Sequence, residues 1–273
     1  MAYYMTGVVD WPLIAPAGMY AAACYDNKSQ TLFLSRDTFG EKPLYYLKTD
    51  NILIFASELR ALVHAAQISL HLSLNHDALT EFMLYGYAIG DHTVYSEICQ
   101  VPAGAVVTIS PYDWNFRLLS DHWAPPKSYS QSKTDSCQSI TEALIQYASG
   151  ATLSEVPICI GLSGGLDSSF IAALNKNKLQ RAFTVGYEAP GGSDEIYDAA
   201  RTADYLGIPH TVVRIKDSDV ATLFHEQVCR KDIPIVDIAG IAYSAMYRAM
   251  HQAGFKVALM GHGGDELFMG YPW

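Results

Sequence analysis

Residues 161–170 read GLSGGLDSSF and follow directly on the apolar run VPICI of residues 156–160. A short apolar run bounded by glycine reads as a buried strand, and the segment from Asp167 reads as the start of a helix. Two consecutive glycines let the backbone approach a ligand closely and take φ values closed to other residues. Exposed backbone N–H groups at a helix N-terminus favour an anion. Ser163, Ser168 and Ser169 add hydroxyl groups. Asp167 would repel a phosphate, but it fits as a ligand to a magnesium ion that bridges to phosphate oxygens. The loop is not Walker A, which needs a lysine after its last glycine, and it is not G-x-G-x-x-G. Two other readings remain. One is a plain strand-to-helix connection with a serine or aspartate cap. The other is a G-x-S-x-G nucleophile elbow, which leaves Asp167 without a role. The whole combination at a strand end favours a phosphate cradle.

Outward from this loop, strands alternate with helices. Ile140, Leu144, Tyr147 and Ala148 fall on one helical face. Then come the strand VPICIGL, a helix from Asp167, the strand RAFTVGY (181–187), a helix from Asp194 to Leu206, and the strand HTVVRI (210–215) opened by His210. A helix around 239–253 and the strand KVALM (256–260) follow. This alternation predicts a parallel sheet covered on both faces, with ligands beyond the carboxyl ends of its strands. The front of the chain reads differently. GMYAAACYD and TLFLSRD flank the turn NKSQ, and PLYYLKTDNILIFAS turns at Thr49-Asp50-Asn51, which predicts two hairpins. Helices are expected from Glu58 to Ala66 and near 75–85, the second capped by Asn75. AGAVVTIS and FRLLSDHW read as strands. The polar stretch APPKSYSQSKTDS (124–136) suits a linker. The expected division is an α/β domain over 1–125 and a second over 126–273.

Composition narrows the function. The chain of 273 residues carries a formal charge of −10 and no basic stripe, which argues against a nucleic-acid partner. Its five cysteines lie far apart, with no C-x-x-C pair, so a reducing compartment and a cytoplasmic location are expected. Cys24, inside an apolar strand, reads as core. No run is long and apolar enough for a membrane helix. The histidines show no H-x-x-H spacing for zinc.

The end of the sequence, GHGGDELFMGYPW (261–273), crowds glycines after a strand for a second time and adds the acid pair Asp265-Glu266. Taken alone it fits either a ligand loop or a loop with a helix cap at Asp265.

These segments carry a resemblance. SGGLDSS resembles the pyrophosphate loop of the ATP pyrophosphatases, and GHGGDELF is similar to the SGxGxDExFGGY segment of asparagine synthetases. In the front half, RDTFGEKPLYY (36–46), FASELRAL (55–62) and TVYSEICQVPAGAVV (93–107) resemble the later part of the glutaminase domain of the same family. The resemblance implies an Ntn-type glutaminase-like α/β sandwich, then a Rossmann-like parallel-sheet domain. It implies ATP and Mg2+ as cofactors. It also implies adenylation of a carboxylate, aspartate or a related acid, and capture by ammonia or glutamine nitrogen with release of AMP and pyrophosphate.

Carried over position by position, Ser163, Gly164, Gly165 and Ser168 would cradle the phosphates, and Gly161 would be another nucleotide-contacting position. Val185, Met260 and Gly261 would touch the nucleotide, and Asp167 and Asp265 would hold magnesium. His262 stands where the family has a glutamate that helps hold the acyl intermediate, which assigns it to the substrate pocket or to a tolerated loop position. Arg36 and Asp37, beside a turn, read as a structural ion pair rather than a binding site. The family's glutaminase uses a cysteine at the exposed N-terminus. The chain begins Met1-Ala2, so a working glutaminase is not expected. A lysine that follows the second loop in the family has no counterpart up to Trp273, and Lys256 is not a match. The alternatives are a truncated nucleotide-binding fragment without catalysis, an amidotransferase acting on a sugar acid, and an ATP pyrophosphatase with a different acceptor such as a tRNA thiolase, which the acidic charge and the glutaminase-like front oppose; the partner expected for the chain is a second copy in a homodimer or a complementing chain.

Overall fold

The computed structural model describes residues 18–67, 71–112, 114–121, 132–188, 195–235 and 239–270. Met1, Ala2, Asp194, Trp273 and residues 124–131 of the expected linker lie outside them. The chain divides into two compact units, Met1–Ser128 with Lys231–Val236, and Tyr129–Arg230 with Asp237–Trp273.

In the first unit, β1 (Ala21–Asp26) and β2 (Thr31–Arg36) form the hairpin around NKSQ. Asp26 stabilises its turn by accepting from the N–H groups of Lys28 and Ser29. β3 (Tyr45–Lys48) and β4 (Leu53–Ala56) form the second hairpin, closed by the Thr49 N–H donating to the Ile52 carbonyl. Helix α1 (Leu59–Ala66) follows. Helix α2 (His76–Tyr85) starts where the Asn75 side chain accepts from the Ala78 N–H at 3.0 Å, and stops at left-handed Gly86. β5 (Ile98–Gln100), β6 (Ala105–Ile109) and β7 (Arg117–Asp121) complete two antiparallel sheets, ordered β1-β2-β6-β7 and β4-β3-β5. Leu47, Leu59, Leu62, Phe82 and Ile98 pack one core between the three-stranded sheet and the two helices.

Arg36 and Asp37 correct the expectation of an ion pair. Each clamps backbone instead. The Arg36 guanidinium donates to the carbonyls of Lys42, Val101 and Gly40. The Asp37 carboxylate accepts from the N–H groups of Tyr20, Glu41 and Lys42. Burial alone would raise the Asp37 pKa, but these N–H donors outweigh it and hold the carboxyl below its ordinary value.

The second unit opens with α3 (Lys133–Ala151), capped by Ser132, whose hydroxyl accepts from the Asp135 N–H. The end of the expected linker is therefore helical. Of the predicted apolar face, Ala148 is buried while Ile140 and Tyr147 are exposed within the chain. Then follow β8 (Ile158–Gly161), α4 (Leu166–Asn175), β9 (Leu179–Tyr187), α5 (Glu195–Leu206) and β10 (His210–Ile215). α6 (Asp217–Arg230), which the sequence reading passed over, α7 (Ala239–Gln252), β11 (Val257–Leu259) and the short α8 (Gly264–Phe268) finish the unit.

The sheet is wholly parallel, in the order β10-β9-β8-β11. Side chains alternate across it, as a pleated strand requires. Ile158, Ile160 and Ala182 join a core with Ala172 of α4 and Ala199 and Ala203 of α5. Cys159 and Phe183, their neighbours in sequence, join the opposite core with Met246 and Met250 of α7. Burial there pushes the Cys159 thiol up to about 11, which marks a packing residue rather than a nucleophile. Strands buried on both faces need continuous apolar sequence, and VPICI supplies it.

Candidate functional site

The strand order places two glycine loops side by side. β9 and β10 lie on one side of β8, and β11 lies on the other. The order therefore reverses between β8 and β11, and ligands of open parallel sheets bind at such a reversal. β8 ends in Gly161 and leads into Leu162–Gly165, while β11 leads into Met260–Gly264.

Close contacts explain the glycines. A Cβ on Gly161 would lie 2.6 Å from the Met260 sulfur. One on Gly261 would lie 2.9 Å from the Ser168 backbone nitrogen, and one on Gly264 would lie 2.3 Å from an Asp167 carboxylate oxygen. Separations under 3.0 Å exclude any side chain unless the neighbours move. The second loop thus lies directly on the first turn of α4. Gly164 is confined from the other side, where a Cβ would come within 3.1 Å of Asp198 Cβ at the start of α5.

The first loop is held by its own hydroxyls. The Ser163 N–H donates to Ser168 Oγ at 3.1 Å, the Gly165 N–H donates to Ser163 Oγ at 3.1 Å, and the two hydroxyls lie 2.9 Å apart. Ser169 Oγ donates to the Gly165 carbonyl at 2.7 Å. N-cap Gly165 provides no side chain, so the first-turn amides of Leu166, Asp167 and Ser168 have no intrahelical acceptor. Those amides are the donors a phosphate would meet.

Below the loop, Thr184 Oγ1 donates to the Leu162 carbonyl at 2.6 Å and sits 2.7 Å from His210 Nε2. Burial lowers the His210 pKa despite Asp204 nearby, so neutral imidazole is favoured beneath the loop.

Asp167 and Asp265 each lie against a glycine of the last described segment. The Asp167 carboxylate rests against Gly264. The Asp265 carboxylate rests against Gly270, where a Cβ would meet its Oδ1 at 1.9 Å, and the Gly270 N–H donates to the Asp265 carbonyl. Of the two readings of this segment, the helix cap at Asp265 does not hold. Gly263 takes that place with φ of 99°, and its N–H donates to the Glu266 carboxylate at 2.9 Å. Magnesium is commonly held by one or two protein carboxylates together with phosphate oxygens and water, and Asp167 and Asp265 are the carboxylates that the resemblance assigns to it.

Val185 lies on β9 beyond the last residue paired with β8, since Gly161 pairs with Phe183. Its backbone on that side is therefore past the end of the neighbouring strand. Its partly buried side chain packs beneath, against the cores formed with α6 and α7. His262 is exposed between Gly261 and Gly263, and its Nε2 lies 3.0 Å from Tyr243 Oη. Sequence reasoning missed Tyr243, as it missed Thr184. Nothing local marks either residue, because each contact bridges separate elements.

Comparison with known proteins gives two family matches. Residues 139–273 match the asparagine synthase family, and residues 6–119 match the glutamine amidotransferase domain. Among curated proteins, an asparagine synthetase (glutamine-hydrolysing) of Bacillus subtilis is 30% identical over 93% of this chain and 40% of its own length. The amidase chyE of Penicillium rubens is 26% identical over the same shares. The chain spans about two fifths of the length of these relatives. Among solved structures, a glutamine-dependent NAD+ synthetase of Acinetobacter baumannii in complex with ADP is 14% identical, with a TM-score of 0.35, covering 93% of this chain and 61% of that one.

Proposed function

We propose that this chain, which belongs to the asparagine synthase family over residues 139–273 and matches the glutamine amidotransferase domain over residues 6–119, activates a carboxylic acid with ATP for conversion to an amide. The observation that carries this reading is the junction of the two glycine loops at the sheet's reversal, with Asp167 against Gly264. In the proposed reaction a carboxylate oxygen of the acid attacks the α-phosphorus of ATP. The bond to the β-phosphate oxygen breaks, and pyrophosphate leaves with the electron pair. Ammonia then attacks the acyl carbon, loses a proton, and AMP leaves.

The chain's own groups supply position and charge. The first-turn amides of α4, with Gly164 and Gly165, receive the phosphates. Ser163 and Ser168 hold those amides in place through their mutual hydrogen bond. Gly161 and Gly261 let Met260 and the first turn of α4 close against the two strand ends, which brings the loops of the proposed nucleotide site together. The backbone of Val185, past the end of β8, is available to the base. Asp167 and Asp265 would hold magnesium, whose charge offsets that of the departing pyrophosphate.

The names of the relatives, asparagine synthetase and amidase, share amide chemistry. Aspartate or a related acid is the substrate class proposed here, with ammonia supplied free or from glutamine. The test is exchange of labelled pyrophosphate into ATP, measured with a panel of carboxylic acids. Acid-dependent exchange is expected in the native chain and is abolished in Asp167→Ala. Exchange at the native rate in that variant would overturn the reading.

A further inference from the structure

Thr184 lies on β9 and is 3% exposed, yet its hydroxyl meets two polar partners. It donates to the Leu162 carbonyl at 2.6 Å and sits 2.7 Å from Nε2 of His210, the first residue of β10. A hydroxyl has a single proton to donate, and a carbonyl oxygen can only accept. Two oxygens at 2.6 Å need that proton between them, so it is committed to Leu162. The bond to the imidazole must then run the other way, from His210 Nε2–H to Thr184 Oγ1. Nε2 carries a proton in the charged ring and in one of the two neutral tautomers, so the contact excludes the other tautomer.

The Leu162 carbonyl is half of a rigid group. It shares a planar trans peptide with the Ser163 N–H, and the two point in opposite directions. Thr184 holds the oxygen on one side. On the other, the N–H donates to Ser168 Oγ at 3.1 Å. Ser168 belongs to the first turn of α4, whose amides are the proposed phosphate donors. A continuous set of hydrogen bonds therefore runs from the start of β10, through β9, to the helix that opens the cradle. Backbone pairing already holds β10 to β9, with Thr184 opposite Val212 and His210 opposite Ala182. The side chains add a constraint beyond Gly161, where the register of β8 with β9 ends.

We propose that Thr184 and His210 are positioning residues for the pyrophosphate cradle. The imidazole N–H fixes the Thr184 hydroxyl, and the hydroxyl fixes the Leu162–Ser163 peptide, from which Ser168 and the first turn of α4 take their orientation. The inference rests on the proposed adenylation site. It gives these two side chains control over pyrophosphate binding and none over the purine end of the nucleotide.

The test is titration calorimetry of the full chain with magnesium pyrophosphate and, separately, with AMP. Thr184→Val keeps the shape of the side chain and removes the hydroxyl. It is expected to weaken magnesium pyrophosphate about tenfold and AMP less than about twofold. Thr184→Ser returns the hydroxyl and is expected to bind pyrophosphate within about threefold of native. His210→Gln, whose amide N–H can replace Nε2–H, is expected to stay near native, and His210→Leu to lose about threefold. With 15N-labelled histidine, and His210 assigned through His210→Gln, the native chain is expected to show a protonated Nε2 near pH 7. Native pyrophosphate affinity in Thr184→Val, equal weakening of pyrophosphate and AMP, Thr184→Ser no better than Thr184→Val, or an unprotonated Nε2 would each overturn the proposal. The proton on Nε2 is read in the native chain, so it decides the matter even if Thr184→Val does not fold. A native chain that binds neither ligand would overturn the adenylation reading and this inference with it. A native chain that binds both, with Thr184→Val binding equally well, would overturn the positioning role alone.

Discussion

Gly264 shows how far a single residue constrains this site. A Cβ there would overlap the Asp167 carboxylate, so alanine must displace either the acid or the loop. Gly264→Ala is expected to lower affinity for magnesium α,β-methylene-ATP at least about tenfold, or about 1.4 kcal/mol, by titration calorimetry. The thermal midpoint should stay close to native, because α8 buries none of its residues within the chain. Asp37 makes the opposite kind of prediction, affecting stability and not binding. Its folded pKa lies below the unfolded value, so its stabilisation is present above the ordinary carboxylate range and is lost as pH falls through the folded value. Asp37→Asn, which removes a charged acceptor from three backbone N–H groups, is expected to cost about 2–3 kcal/mol at pH 7 by urea denaturation. Its stability should then fall less than the native chain's as pH drops through that window.

At the scale of elements, local chemistry made some segments legible and left others hidden. Asn75 was readable as a cap because its side chain acts three residues away, on the Ala78 N–H. Asn75→Ala should destabilise the first unit by about 1 kcal/mol, seen as a lower urea midpoint. VPICI was readable as a buried strand because both of its faces are covered, and Phe183 across the pairing is 1% exposed. Phe183→Ala should cost about 3–5 kcal/mol, enough to threaten the fold of the second unit. α6 was not readable from its apolar pattern. Within the chain Leu223 is buried but Phe224 and Val228 are substantially exposed, and buried Gln227 takes a place that an apolar residue usually fills. The start of α3 was hidden within a polar, serine-rich stretch that suggested a linker, although Ser132 and Asp135 form its cap. The two glycine loops announced themselves through composition. Their meeting did not, because it depends on β11 pairing with β8 rather than with β10. The Tyr243 contact with His262 depends on that same pairing, and on the path of α7.

For the whole molecule, the chain divides into two compact units, and the proposed adenylation site lies in the second. Within that unit the central claim is that loops a hundred residues apart in sequence act as one magnesium-nucleotide site. A double-mutant cycle tests it most directly. Binding of magnesium α,β-methylene-ATP would be titrated into the native chain, Asp167→Ala, Asp265→Ala and the double variant. If both carboxylates hold one ion, the second substitution should cost far less once the first is made, with a coupling energy of at least about 1 kcal/mol. Additive losses, or binding that neither substitution weakens, would contradict the account.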